Sequence, residues 1–112
     1  MIDGLVSGKL AGKPVARTGA TSGKPFVTAK LRAATGKGEM IHADCIAFRE
    51  SARAALLALE DGDSVALAGE MTPKAWTDRE GQPRASVDVV VHGVLSAYHV
   101  RRKRQAIEGE HG

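Results

Sequence analysis

Two neighbouring segments in which side chains alternate in character constrain the fold of this chain more than any other feature. In residues 26–34, FVTAKLRAA, one face carries small and aliphatic side chains: Val27, Ala29, Leu31 and Ala33. Residues 40–48, MIHADCIAF, repeat the pattern with Ile41, Ala43, Cys45 and Ala47. A period of two over this length predicts a β-strand with one buried face. With TGKGE between them, the two segments are typical of a β-hairpin.

The period changes once along the chain. In residues 51–63, SARAALLALEDGD, a helical stripe is formed by Ala52, Ala55, Leu56 and Leu59. We expect Ser51 to cap the start of this helix and Gly62 to end it. Further strands are predicted at residues 2–10, 64–71 and 85–98, whereas residues 13–25 and 71–84, which contain Gly and Pro, are predicted as loops.

This order of elements predicts a mainly β fold with one short helix between strands 3 and 4. A partly open barrel of five antiparallel strands, the oligonucleotide-binding (OB) fold, has this order. Another small α+β sheet domain would also fit the pattern, but the position of the helix favours the barrel. We expect one domain at residues 1–98 and a short basic tail at residues 99–112.

The chain has 112 residues and a single cysteine, Cys45, so an internal disulfide is excluded and a reducing compartment is favoured. The sequence has no long apolar run and no signal-peptide pattern. These features predict a cytoplasmic protein without a membrane partner.

Motifs of enzymes are missing from the sequence. It has no phosphate-binding loop, no GxSxG elbow and no HExxH pair. The four histidines lack metal-ligand spacing, and Cys45 falls on the inward face of its strand. We therefore expect no catalytic residue, no cofactor and no metal.

The outward face of strands 2 and 3 combines rings with cations. Phe26, Lys30, Arg32, His42 and Phe48 share this face if the strands pair. Single-stranded nucleic acid needs this combination, because its bases stack on aromatic rings and its phosphates attract Lys and Arg. Plainer alternatives remain open for each residue. The phenylalanines could pack under loops or in a subunit interface, His42 could be an ordinary polar strand residue, and the cations could keep the strand soluble.

Charge and the only tryptophan extend this surface. Residues 1–49 carry eight Lys and Arg against three acids. Trp76 lies in MTPKAWTDREGQPR, residues 71–84, beside Lys74 and Arg84. In OB folds the connection between the last two strands is one of the loops that grip the ligand. Trp76 is therefore predicted to meet a base, although an indole can also fold back onto a barrel.

Several segments carry a family likeness over residues 1–98. They are IDGLVSGKLAGKPVART, FVTAKLRAA, IHADCIAFRESARAALLALEDGDSVALAGEM and KAWTDREGQPRASVDVVV. The last is similar to a W-T-D-x-x-G-x-x-R motif leading into a strand. The chain resembles the bacterial single-stranded DNA-binding protein family, whose OB fold binds single-stranded DNA without strong sequence preference and usually works as an oligomer.

The resemblance implies roles for individual residues. Trp76 and Phe48 would stack on bases. To these two, the outward face of strands 2 and 3 adds Phe26 as a third platform. Phosphates would be met by Arg17, Lys30, Arg32, Lys74 and Arg84. At His42 the family often has tryptophan, so weaker and more salt-sensitive binding is expected.

The end of the sequence, HVRRKRQAIEGEHG, is short and basic, whereas strand-coating members of that family carry a long Gly-rich tail with acidic residues at its tip. The build is similar to the primosomal replication protein N family, whose members form homodimers and contact replication-restart proteins. The resemblance therefore implies DNA replication or primosome-dependent restart, with a homodimer or homotetramer. The Arg101–Arg104 run could extend the DNA path, dock an acidic partner or be a solvated end. An alternative function is a protein-interaction module of the primosome with weak or lost DNA binding.

Overall fold

A computed structural model describes residues 2–34 and 36–96 of the chain. Within these residues, six strands and one helix follow one another. They are β1 (Ile2–Leu10), β2 (Val15–Thr18), β3 (Pro25–Ala34), β4 (Met40–Ala47), α1 (Glu50–Leu57), β5 (Ser64–Thr77) and β6 (Pro83–Ser96). The prediction of a mainly β fold with one short helix is confirmed.

Five of the strands form a closed ring. The hydrogen-bonded order is β1-β5-β6-β4-β3, and β3 returns to β1 at Lys9 and Leu10. This contact closes the ring through two residue pairs, Lys9↔Arg32 and Leu10↔Leu31, at the end of β1. The expectation of wholly antiparallel strands is wrong at one place, because β4 and β6 pair in parallel.

The sixth strand, β2, was predicted as part of a loop. It pairs with the outer side of β3 through only four residues, from Val15↔Thr28 to Thr18↔Pro25. All four of its side chains are exposed, so no alternation of apolar and polar residues reveals it in the sequence. Because of this added strand, α1 lies between β4 and β5 in the observed numbering.

The core is built from the inward faces predicted for β3 and β4. Val27 and Leu31 of β3 and Ala43 and Cys45 of β4 are buried, together with Leu67 of β5. Helix α1 covers one end of the core with Ala52 and Leu56, and Leu59 follows just after it. Small inward side chains let the strands curve tightly around this narrow interior.

The ends of α1 differ from the prediction. Arg49 occupies the N-cap position and makes no side-chain capping bond, so Ser51 is not the cap. The helix stops at Leu57 with Ala58 as its C-cap. Gly62, with φ of +84°, instead serves the turn that leads into β5.

The segment 71–84 is a β-hairpin and not the predicted loop. Strands β5 and β6 remain paired as far as Thr77↔Pro83, so that only residues 78–82 form the turn. Pairing between β1 and β5 ends at Met71. At Pro73, β5 therefore pairs with β6 only. Pro73 is tolerated there because β1 no longer requires a backbone N–H from β5.

Within the part of the chain that the structure describes, no helix has the length and apolar character to span a membrane. The predicted tail, including Arg101–Arg104, lies outside the described residues. The predicted boundary between domain and tail at residue 98 lies there too.

Candidate nucleic-acid interface

All nine residues predicted to bind DNA belong to one face of the sheet. Strand pairing relates them step by step, through Arg17↔Phe26, Arg32↔His42 and Trp76↔Arg84. The pairs His42↔Ser86 and Lys74↔Ser86 join the two halves. We call this surface, formed by β2, β3, β4, β6 and β5 in that order, the outer face. Four steps between strands make it roughly 19 Å wide.

Two phenylalanines meet at one end of the outer face. Phe48 follows β4 directly, and its ring centroid lies 6.3 Å from that of Phe26, with 46° between the ring planes. Phe48 remains 55% exposed, whereas Phe26 is half-buried. Phe26 therefore supports the more exposed ring, and the two together present an aromatic surface to solvent.

Trp76 lies at the opposite end, on the arm formed by the last rungs of the β5–β6 hairpin. The rungs Ala75↔Ala85, Trp76↔Arg84 and Thr77↔Pro83 have neither β1 nor β4 beside them. The indole is 47% exposed. An exposed indole on a projecting arm can stack on a ligand without any rearrangement of the core.

Asp78 holds the tip of this arm together. Its Oδ1 accepts hydrogen bonds from the backbone N–H groups of Glu80 and Gln82, both at 2.9 Å. Its Oδ2 accepts one from Arg84 Nε at 3.0 Å. These bonds, chiefly that from Gln82, lower the pKa of the Asp78 carboxyl. The aspartate of the W-T-D motif is thus a structural anchor beside Trp76.

Cations on the β2–β3 side are available to a ligand. Lys30 and Arg32 are exposed and form no ion pair with any carboxylate of the described residues. Arg17 on β2 donates from Nε to Thr28 Oγ1 on the neighbouring strand β3 at 3.1 Å, which orients its guanidinium without neutralising it. These three side chains form a positive flank.

The two cations predicted on the Trp76 segment are already engaged. Lys74 Nζ lies 2.6 Å from Asp44 Oδ2 and 2.6 Å from Asp88 Oδ1. The hydrogen bond to Asp44, and after it the bond to Asp88, raises the pKa of Lys74. Arg84 pairs with Asp78. Phosphate contact by Lys74 or Arg84 would have to compete with these carboxylates.

A groove of about 710 Å³ lies on the outer face beside Phe48. It is lined by residues of β2, β3, β4 and β6 and by the segment just before β2. Ile46 and Val90 contribute apolar lining, Phe48 lies at one end, and Asp44 and Asp88 contribute carboxylates. The groove thus combines an apolar lining with carboxylates from β4 and β6 and with cations from β2 and β3.

The sequence prediction missed Asp88. Asp44 and Asp88 become neighbours only through the parallel pairing of β4 with β6, which joins segments more than 40 residues apart. One signal was present in the sequence, because Asp88 interrupts the valine-rich run of residues 87–91 with a charge. Asp78 belongs to the W-T-D motif, but the sequence alone predicts no role for it.

Other reactive groups do not form a site. Cys45 is buried as predicted, and burial raises the pKa of its thiol to about 12, so it remains protonated at neutral pH. Residues 2–34 and 36–96 hold no group of three or more side chains arranged to bind a metal ion.

A family model described as the single-strand binding protein family matches residues 2–97. Among solved structures, the chain is similar to the crystal structure of small single-stranded DNA-binding protein from Streptomyces coelicolor. The two share 26% sequence identity over 85% of this chain and 93% of that chain, with a TM-score of 0.65. No curated protein matches the sequence significantly. The family match confirms the resemblance and, because such proteins are non-enzymatic DNA-binding proteins, the expectation that the chain is not an enzyme.

Proposed function

The chain belongs to the single-strand binding protein family, and we propose that its outer face binds single-stranded DNA without strong sequence preference. One observation carries this proposal. A single sheet face holds exposed rings at both ends, Phe48 and Trp76, and, along one flank, cations that form no ion pair with the carboxylates of residues 2–34 and 36–96. Rings and cations on one open surface suit a flexible strand with stackable bases and charged phosphates.

The proposed mechanism has two steps. The flank of Arg17, Lys30 and Arg32 attracts the phosphates, and bases then stack on Trp76 and on the Phe26–Phe48 pair. His42, exposed on β4 beside Arg32, lies on the path between the two aromatic ends. Lys74 and Arg84 contribute less in this scheme, because carboxylates hold them in the free protein.

The only tryptophan makes a direct test of the mechanism simple. Titration with oligo-dT at low ionic strength should quench Trp76 fluorescence, and added salt should reverse the quenching. An unchanged spectrum together with no salt-dependent binding would contradict the proposal.

Substitution of Trp76 tests the role of stacking. Trp76→Ala should weaken binding of a labelled oligonucleotide, followed by anisotropy, by about 1–3 kcal/mol. Trp76→Phe, the matched control, retains a ring and should lose less. Equal affinities for both variants and the wild-type chain would exclude stacking at this position.

We propose that the protein acts in the cytoplasm as a homo-oligomer, in DNA replication or replication restart. One edge of β1 supports the oligomer. Strand β1 pairs with β5 from Ile2 to Lys9, but β3 reaches it only at Lys9 and Leu10. Among residues 2–34 and 36–96, no strand pairs with the other edge of β1 along residues 2–8, and we propose that a strand of a second copy pairs there.

A second candidate is a primosomal protein-interaction module with weak DNA binding. The ion pairs of Lys74 and Arg84 favour it, because they reduce the positive charge open to phosphate. Binding of Trp76→Ala to DNA and to replication-restart proteins distinguishes the two candidates. Unchanged DNA affinity with reduced partner binding would favour the module.

A further inference from the structure

Two carboxylates lie at the centre of the outer face, on the side of the groove away from Lys30 and Arg17, although the face as a whole is proposed to bind a polyanion. Asp44 and Asp88 are neighbours across the β4–β6 pair, and both line the groove. Lys74 contacts both carboxylates with its ammonium but does not itself line the groove. Two carboxylates and one ammonium leave a net charge of −1 at this point.

A phosphate is therefore repelled from the centre of the groove and attracted to its side. Lys30, the cross-strand neighbour of Asp44, and Arg17 both line the groove from the β2–β3 side. The backbone of a bound strand would follow this positive side. Its bases would then point across the groove, toward Asp44 and Asp88.

A nucleobase matches the lining of the groove. Ile46 and Val90 offer apolar surface to the face of a base, and both carboxylates have about half of their side-chain surface open to solvent. Ionised carboxylates are acceptors only. They can bind the edge of a base only where that edge carries a donor.

We propose that this groove is a nucleobase subsite in which Asp44 and Asp88 accept hydrogen bonds from an exocyclic amino group, so that it favours cytosine over thymine. Cytosine carries the donor N4–H₂, with which Asp and Glu pair, whereas thymine carries the acceptor O4 at the corresponding place. An acceptor facing an acceptor is repulsive. The inference rests on the proposed binding of single-stranded DNA and adds one local base preference to it.

Binding of labelled oligo-dC and oligo-dT of equal length, measured by anisotropy at low salt, tests the subsite. The quantity to compare between variants is the ratio of the dC and dT affinities, because differences in polymer stacking and charge then cancel. Asp88→Ala and Asp44→Ala should each lower the dC:dT ratio on the order of fivefold. Both should strengthen dT binding, because a negative charge is lost and Lys74 is released.

Asp3→Ala is the matched control. It removes one exposed carboxylate from β1, which does not line the groove. It should shift both affinities together and leave the ratio unchanged. Asp88→Asn keeps the size of the side chain and a weaker acceptor, so it should lower the ratio by less than Asp88→Ala and guards against a folding defect.

The same measurements distinguish failure of DNA binding from failure of the nucleobase subsite. If neither polymer binds the wild-type chain at low salt, the proposed function is overturned and the subsite with it. If dT binds but the dC:dT ratio is the same in the wild-type chain, Asp44→Ala, Asp88→Ala and Asp88→Asn, the subsite alone is overturned.

Discussion

At the residue scale, Asp78 shows how one carboxylate prepares an aromatic for binding. Asp78 lies two residues after Trp76. Its carboxylate accepts hydrogen bonds from the backbone N–H groups of Glu80 and Gln82 and from the side chain of Arg84. The turn it closes contains Gly81 at a φ of +78°, a conformation that glycine adopts without steric cost. An ordered turn reduces the entropy that the arm would lose when Trp76 stacks on a ligand.

Acid should loosen this turn. The folded pKa of Asp78 is lowered below its ordinary value of 3.8, mainly by the Gln82 N–H. The ionised Asp78 carboxylate therefore stabilises the folded turn fully above pH 3.8. This stabilisation is lost as the pH falls through the lowered pKa and the carboxylate is protonated. Amide NMR shifts of Glu80 and Gln82 should show this transition at acidic pH.

Asp78→Asn is the control for acid loosening. Its amide oxygen still accepts from both N–H groups but does not titrate, so the acid transition of the two amides should disappear. The same transition in the variant would assign it to another group.

The ammonium of Lys74 is engaged by carboxylates in the free protein, and its predicted contact with phosphate stays a prediction. Its position beside Trp76 predicted a phosphate contact, and its side chain instead bridges two carboxylates from β4 and β6. Neither partner is close in sequence. Only the pairing of distant strands reveals that this cation is already neutralised.

At the element scale, strand β6 is interrupted by a bulge that the sequence pattern conceals. Its partners in β5 step from Ala68↔Gly93 to Gly69↔Val91, which leaves His92 as the extra residue. The inward series of Val87, Val89 and Val91 therefore resumes at Val94. Because of the bulge, the valines on both sides of His92 point into the core while β6 bends around the ring.

Gly69 is required at this bulge. A Cβ at Gly69 would collide with the carbonyl oxygen of Val90, which belongs to the backbone and cannot rotate away. Gly69→Ala should lower the free energy of unfolding by about 1–3 kcal/mol, measured by urea denaturation.

Gly36→Ala provides the comparison for Gly69, because a Cβ at Gly36 meets no atom within 4 Å. It should leave the urea midpoint nearly unchanged. Equal effects of the two substitutions would show that the bulge tolerates a side chain.

At the scale of the whole molecule, the distribution of free and paired cations decides how binding depends on salt. Each phosphate neutralised on a single strand contributes about 0.7 to the slope of log K against log salt concentration. Lys30→Ala should reduce the slope by about that amount.

Lys74→Ala should reduce the salt slope by less than half as much as Lys30→Ala, because its ammonium is balanced by Asp44 and Asp88 before DNA arrives. Equal reductions in the two variants would mean that Lys74 leaves its carboxylates for phosphate.

Assembly is a second property of the whole molecule. Leu5 of β1 is 61% exposed, beside the edge of that strand with which no other strand of the described residues pairs. Leu5→Arg should shift the protein toward the monomer in light scattering, because a charge is expensive to bury in an interface.

Leu57→Arg is the matched control for assembly, since Leu57 is exposed on α1, away from the β1 edge. It should leave the mass unchanged. A monomeric wild-type chain, or equal behaviour of both variants, would contradict assembly through β1.

The sequence by itself determined the inward and outward faces of β3 and β4, the buried stripe of α1 and the face shared by the predicted rings and cations. Period and side-chain character are local properties, so they survive without coordinates. Only the tertiary structure decided that β2 pairs with β3, that residues 71–84 form a hairpin, and that Asp44 and Asp88 enclose Lys74. The contact of Asp44 with Asp88 across Lys74 depends on the pairing of β4 with β6, which are far apart in sequence. Strand β2 and the end of the β5–β6 hairpin pair with strands nearby in sequence, but their side chains are exposed on both faces, so no alternation of apolar and polar residues predicts them.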